Sequence, residues 1–215
     1  MAATFTGYIA EVRRLLHDAT GVFWSDTELT DYINSARDRI VRDTGCLRYL
    51  ASSTATYNQE TLDLTTITLP SYGASILDVL NINLYWGNTR IPLRYLAWTD
   101  FNAQLRFWQN YTGRPIGFSL YGLNTIYFGP VPDQNYQIEL DTIVLPVALL
   151  SDSQTEPIPS PYTSPVKFYA AYLAKYKEQS YGEAEIFKAE YEKQARSVIA
   201  SSMTRRMPTP FSQPY

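Results

Sequence analysis

Cysteine occurs once in this 215-residue chain, at Cys46, and histidine once, at His17. A single cysteine excludes an internal disulfide, and with it a cystine-stapled scaffold. One cysteine and one histidine leave too few ligands for the usual zinc sites. Any nucleophile–histidine pair would have to use His17, which falls near the end of the first predicted helix, where a protonated imidazole suits the negative end of the dipole. Cys46 follows a glycine stop and precedes Leu47, the setting of a packing thiol. No glycine-rich phosphate loop with a following lysine is present. No apolar run approaches ~18 residues, so no membrane span is expected. The opening MAATFTGYIAEVRRLL has no basic-then-apolar signal layout, which points to a protein made in a cytoplasm. A basic excess is missing too: the formal net charge is −3. That argues against a dedicated nucleic-acid binder, though not against a protein that DNA merely passes.

What remains is a globular composition, with 45% hydrophobic and 18% charged residues. Its unusual entry is 18 tyrosines. Tyrosine joins a large apolar body to a polar tip and is enriched at protein interfaces, although half-exposed strands also favour it.

A first helix is expected over about residues 4–18, with Phe5, Ile9, Val12 and Leu16 on one face. The second has a well-specified start, in the stretch VFWSDTELTDYINSARDRIV. Ser25 and Glu28 have the spacing of a capping box, and Trp24 and Leu29 the positions of a hydrophobic staple. Asp26 and Glu28 place negative charge at the positive helix end. Leu29, Ile33, Ala36 and Ile40 form an apolar stripe widened by Tyr32, which leaves Asp31, Asn34, Arg37 and Asp38 to the outside. Gly45 suits a left-handed helix stop. The carboxylates Asp26, Glu28, Asp31, Asp38 and Asp43 are accounted for by capping and exposure, and nothing in their spacing favours a paired-carboxylate hydrolase. No enzyme and no cofactor are expected.

From Ala51 to Pro146 the period is nearer two. TLDLTTITL (61–69) slips phase at its threonines, as a bulge would. ILDVLNINLYW (76–86) alternates Leu80, Ile82, Leu84 and Trp86, with a Gly87–Asn88 hairpin turn into RIPLRYL. IGFSLYG, TIYFGP and YQIELDTIVLP complete about six strands, and a helix capped by Thr99 interrupts them with Phe101, Leu105 and Trp108 on one face. Such a set fits a sandwich or a barrel. SDSQTEPIPSPYTSP (151–165) is a proline-rich linker, with Ser164 and Pro165 at the start of the next helix. Val166, Tyr169, Leu173 and Tyr176 form that helix's stripe. Gly182 marks a turn, and a last helix runs from about Glu183 to Arg205 with Phe187, Tyr191 and Val198 inward. The prolines of MPTPFSQPY (207–215) exclude a helical tail.

The fold class is therefore α+β. Two N-terminal helices (1–50) and two C-terminal helices (within 151–206) make a bundle of about four. An antiparallel β-sandwich or barrel-like domain (51–150) is inserted, and an extended arm (207–215) follows. The β domain offers Phe118, Tyr121, Tyr127 and Phe128 with Arg94, Arg106 and Arg114, a faint version of a single-strand-binding platform. Residues 162–206 carry eight basic and five acidic side chains, mostly a solvated helix face. Arg205 and Arg206 sit where the last helix gives way to the tail. In the tail, Phe211 and Tyr215 lie on a proline-stiffened segment of the kind that docks into pockets at low entropic cost.

Three stretches resemble the head–tail connector, or adaptor, proteins of tailed bacteriophages, particularly the short-tailed ones. WSDTELTDYINSARDRIV is similar to that family's entry to the second helix. GRPIGFSLYGLNTIYFGPVPDQNYQIEL (113–140) is similar to its Arg-Pro, aromatic strand and Pro-x-Pro-Asp turn. PIPSPYTSPVKFYAAYLAKYKEQSYGEAEIFKAEYEKQ (157–194) is similar to its closing helical pair. The resemblance implies a structural virion protein of the neck, present in the host cytoplasm during assembly. It implies a homo-oligomeric ring, expected to be twelve-fold, which binds the portal protein and carries a tail nozzle or hub. Double-stranded DNA would pass through its channel without sequence recognition, and no membrane is involved. Carried onto this sequence, Arg205, Arg206, Met207, Pro208, Pro210, Phe211, Pro214 and Tyr215 form a portal-docking arm. Tyr32, Asn34 and Arg37 are ring candidates, and Trp24, Ser25, Glu28 and Leu29 position the helix start. The alternatives are a tail-tube or tail-hub component, and a β domain that binds single-stranded nucleic acid or carbohydrate.

Overall fold

The computed structural model describes residues 4–108 and 111–203. Their contacts divide the chain into two compact units. One takes the chain up to Leu47 and again from Ala148 onward, and the other is Arg48–Val147. The fold is α+β, as the sequence periodicities predict.

The first unit holds α1 (Phe5–Leu15), α2 (Asp26–Thr44), α4 (Val166–Lys177) and α5 (Tyr181–Met203). Thr4 caps α1 by accepting from the Gly7 N–H at 3.2 Å. α1 has no acidic residue in its first turn, but the linker supplies one. Asp152 accepts from the Thr6 backbone N–H at 2.9 Å and from its hydroxyl at 2.7 Å, placing a carboxylate at the positive helix end. Gly45 ends α2 at φ 59°, its N–H bonded to the Val41 carbonyl.

α2 and α4 form the central pair of this unit; α1 packs on both, and α5 packs chiefly on α4. The face that α4 buries is not the expected Val166–Tyr169–Leu173–Tyr176 stripe. It is Val166, Ala170, Ala171 and Ala174, with Tyr169 and Leu173 half-buried and Tyr176 exposed. Small residues let neighbouring helices approach closely, so the tyrosines are displaced to the rim. There Tyr169, Tyr172, Tyr176 and Tyr181 form a chain of ring contacts with centroids 5.3–5.8 Å apart. Ser164 does not cap α4; Pro165 occupies the cap position without a side-chain bond. The turn into α5 is made by Gln179 at φ 63°, and Gly182 lies inside the helix.

The second unit is a two-sheet sandwich that does not close into a barrel. Its strands are β1 (Arg48–Ala55), β2 (Thr61–Asp63), β3 (Gly73–Trp86), β4 (Thr89–Pro92), β5 (Arg94–Tyr95), β6 (Thr112–Gly113), β7 (Gly117–Tyr121), β8 (Thr125–Gly129), β9 (Val131–Pro132) and β10 (Tyr136–Pro146). One sheet runs β1-β10-β3-β4 and is antiparallel throughout. The other runs β2-β8-β7-β5, and β6 and β9 pair separately. Val79, Ile82, Leu84, Phe118, Ile126 and Phe128 are among the buried residues that both sheets contribute to one core.

Two strand readings are corrected. The phase slip at Thr65–Thr66 is a short 3₁₀ turn, Leu64–Thr66, whose Thr65 N–H is held by Asp63 at 2.8 Å. In β3, Val79 faces the core and Leu80 faces out. Asp141 pairs with Asn81 while Thr142 pairs with Val79, so one extra residue reverses the alternation. The interrupting helix, α3 (Trp98–Trp108), begins one residue before Thr99, with the Phe101 N–H bonded to the Ala97 carbonyl. Phe101 is buried; the side chains of Leu105 and Trp108 lie outside the described residues.

Candidate functional site

The start of α2 carries the expected devices. The Ser25 hydroxyl oxygen accepts from the Glu28 N–H at 3.3 Å, and the Glu28 carboxylate accepts from the Ser25 N–H at 3.4 Å. Both halves of the capping box are therefore made. Trp24 and Leu29 are buried. Trp24 meets Tyr32 edge to face at 6.1 Å between centroids. Lys177, at the end of α4, donates to Glu28 and stands over the Trp24 ring at 5.9 Å. The Lys177 and Ser25 hydrogen bonds hold the Glu28 carboxyl below its ordinary pKa.

The loop before this start is organised by a residue that sequence reasoning missed. Asp18 is buried, and its carboxylate accepts from the backbone N–H groups of Val22 (3.0 Å), Phe23 (3.4 Å) and Trp24 (3.0 Å). Arg13 binds Asp18 at 3.1 Å, the Trp24 carbonyl at 2.9 Å and Asp26 at 2.6 Å. Burial alone would raise the Asp18 pKa, but the three N–H groups and Arg13 outweigh it and lower it. The loop thus leads the chain from α1 into Ser25 along a fixed path. It leaves Val22 and Phe23 pointing outward, 78% and 83% exposed. The readable signal was an apolar pair between a glycine and a cap residue.

Asn34 and Arg37 do not lie on the outside. Arg37 is 1% exposed. Its Nε donates to Glu156 Oε2 at 2.9 Å and its Nη2 to Oε1 at 3.0 Å, which makes a bidentate pair. Arg37 Nη1 also donates to Asn34 Oδ1 at 2.8 Å. Asn34 brackets Leu149, donating to its carbonyl at 3.1 Å and accepting from its N–H at 2.8 Å. Glu156 further accepts from the Ile158 N–H at 3.1 Å. These contacts clamp the linker to the polar edge of α2. Position alone could not reveal this, because the partners lie more than a hundred residues away. Tyr8 sits in the same interior, and burial and then the Glu156 charge push its hydroxyl pKa far up. Tyr32 remains half-buried at the rim.

His17 is exposed at φ 57°. Cys46 is half-buried, and burial raises its thiol pKa, the setting of an inert thiol. Among the described residues no group of three or more His, Cys, Asp or Glu side chains is placed to hold a metal ion, and no helix is long and apolar enough to cross a membrane. The aromatic platform dissolves: Phe118 and Phe128 are 1% exposed core residues. Tyr121 and Tyr127 instead pack on Trp98, at 4.4 and 4.8 Å between centroids. The arm residues Arg205, Arg206, Met207, Pro208, Pro210, Phe211, Pro214 and Tyr215 lie outside the described residues.

No curated protein matches the chain. A family model described as SU10 adaptor protein matches residues 3–214. Its reach over both the helical and the β unit accords with the three stretches that resemble phage connectors. The chain belongs to the SU10 adaptor protein family, and is a structural head–tail adaptor of a tailed bacteriophage.

Proposed function

We propose that the protein assembles as a closed ring on the portal vertex and gives the tail nozzle or hub its platform. The observation that carries this reading is the match to an adaptor family along nearly the whole chain. Twelve copies are proposed, with genome DNA passing through the central channel by shape and charge and without base contacts. A net charge of −3 suits a wall past which DNA slides. The helical unit (proposed domain parts 1–50 and 151–206) supplies the ring, and the inserted β domain (51–150) faces the tail. The arm from Arg205 to Tyr215 grips the portal, with Phe211 and Tyr215 as anchors. Tyr32 faces the inter-subunit wall, while Asn34 and Arg37 contribute by fixing the linker behind it. The proposed role is one of binding and positioning and requires no catalytic step.

Electron microscopy of the protein mixed with the portal tests the reading, with full-length chain expected to decorate portals as rings. Deleting residues 207–215 should leave the melting temperature unchanged and abolish stable attachment. Normal decoration by the truncated chain would overturn the arm's role, and the absence of any ring with the full chain would overturn the ring.

A further inference from the structure

The tyrosines displaced to the rim of α4 make a continuous aromatic rail. Tyr169, Tyr172, Tyr176 and Tyr181 touch in sequence, ring to ring. Tyr176 and Tyr181 are each 54% exposed, and Tyr169 and Tyr172 are half-buried. None of the four hydroxyls has a hydrogen-bond partner among the described residues. The rail is therefore apolar along its length and carries unused donors at its edge. Beside Tyr169 a cavity of about 360 Å³ opens between α2 and α4, lined also by Ser35, Asp38, Arg39, Arg42 and Leu173.

Aromatic-lined grooves bind proline-rich extended segments. Such a segment is already stiff, and its prolines offer carbonyl acceptors but no N–H donors. Tyrosine hydroxyls supply the donors. The stretch MPTPFSQPY (207–215), with Pro208, Pro210 and Pro214 and the aromatic Phe211 and Tyr215, has that chemistry. It also has the reach. α4 and α5 run antiparallel, since Tyr169 meets Tyr191 at 5.0 Å while Tyr176 meets Tyr181. Tyr191 lies twelve residues before Met203, the last residue of α5, which is about 18 Å along a helix. Tyr176, seven residues beyond Tyr169 on α4, stands about 29 Å from that end. Residues 204–206 suffice to reverse the chain. Extended at ~3.1 Å per residue, Phe211 then reaches about 16 Å, the level of Tyr169 and its cavity, and Tyr215 about 28 Å, the level of Tyr176.

The tether favours the chain's own segment over any other. A segment joined through a few residues meets its groove at an effective concentration in the millimolar range, far above that of a second copy in dilute solution. A segment lying on the rail is not free to reach a portal, so the two uses exclude each other at any instant.

We propose that in the free protein residues 207–215 fold back onto the α4 tyrosine rail of the same chain, with Phe211 in the cavity beside Tyr169, and that the portal competes with the rail for this segment. The inference goes beyond the portal reading, because docking on the rail belongs to the protein before it meets a portal. The test pairs Ser212→Cys with Ser35→Cys, at the exposed edge of the cavity, in the full chain on a Cys46→Ser background, oxidised at low concentration. The control pairs Ser212→Cys with Ser197→Cys, at a position exposed on α5. That position is nearer the origin of the segment, so an undirected segment would bond there at least as readily. The expected result is an intrachain disulfide through position 35 that forms at least tenfold faster than the one through position 197. Adding Phe211→Ser should remove the advantage, and saturating portal should slow the reaction. Equal rates at the two positions, or disulfides that join two chains, overturn docking on the rail, and a rate unchanged by portal overturns the competition. Portal attachment is read separately, from the deletion of residues 207–215. A selective disulfide beside normal decoration by the deletion variant upholds the rail and overturns the grip on the portal. Lost decoration without a selective disulfide does the reverse.

Discussion

Arg37 and Glu156 lie 119 residues apart in sequence and meet as a two-hydrogen-bond ion pair, each side chain 1% exposed. Taking both charges out of water is costly, and the pair persists because its remaining polar atoms are also engaged. Asn34 accepts from Arg37, and Glu156 accepts from Ile158. The result is a linker anchored at two points, Leu149 and Glu156, on the helix whose start is also fixed.

Glu156→Ala leaves the Arg37 charge buried without its partner. The loss expected is about 3–5 kcal/mol of folding stability, read from urea denaturation of the purified protein. Glu11→Ala, which removes a carboxylate that is 47% exposed and paired with Lys167, should cost under about 0.5–1 kcal/mol. Equal losses for the two variants would mean that the buried pair holds nothing together.

Two tyrosines make stability sensitive to alkali. Burial, reinforced for Tyr8 by the Glu156 charge and for Tyr191 by its hydrogen bond to Asp43 at 2.7 Å, raises both pKa values. A pKa raised in the folded state means that the neutral phenol is favoured by folding. The contribution is whole below the unfolded value of about 10 and is lost as pH rises above it. Stability should therefore fall beyond about pH 10, followed by far-ultraviolet circular dichroism in urea. Tyr191→Phe should flatten that fall while costing about 1 kcal/mol at pH 7 through the lost hydrogen bond. An alkaline limb identical to that of the parent would show that Tyr191 does not contribute to it.

The alanine face of α4 gives a packing prediction. Ala170, Ala171 and Ala174 are fully buried, so an added side chain has no space. Ala170→Leu should destabilise by about 1–3 kcal/mol through overpacking. Ser197→Ala, at an exposed position of α5, should stay within about 0.5 kcal/mol. Thermal melts of the two variants side by side decide it.

These cases mark how far the sequence could be read. The α2 start was legible because the Ser25–Glu28 spacing, the flanking Trp24 and Leu29, and Gly45 all act within a turn or two of one another. The two-helix, β, two-helix order was legible because the hydrophobic period changes at each border. What stayed hidden depends on distant partners. Arg37 sits beside Ala36 on a helix whose polar edge reads as solvent-facing, and only Glu156 explains its burial. The α1 cap is completed by Asp152, and the outward turn of Leu80 is set by the shift in register between β3 and β10, which leaves Leu80 as the extra residue. On α4 the tyrosines outweigh the alanines in hydrophobic content, so the stripe was assigned to the larger residues. Close helix packing selected the smaller ones.

The capping box yields the last prediction. Ser25→Ala removes one acceptor for the Glu28 N–H, while the Glu28 bond to Lys177 can persist. The isolated protein should lose about 1 kcal/mol, seen as a small fall in the denaturation midpoint. The consequence for assembly should be larger. Ser25 follows directly on the loop that Asp18 holds, so a loosened cap alters the angle at which the chain enters α2. In a closed ring that error repeats in every copy, and closure tolerates it poorly. Ser25→Ala should therefore reduce ring yield on portals well beyond what an equally destabilising change elsewhere produces. A partly buried position such as Leu173→Ala, scaled to the same midpoint shift, is the comparison. If the two variants lose rings in proportion to their stability alone, the cap is an ordinary helix start with no part in assembly.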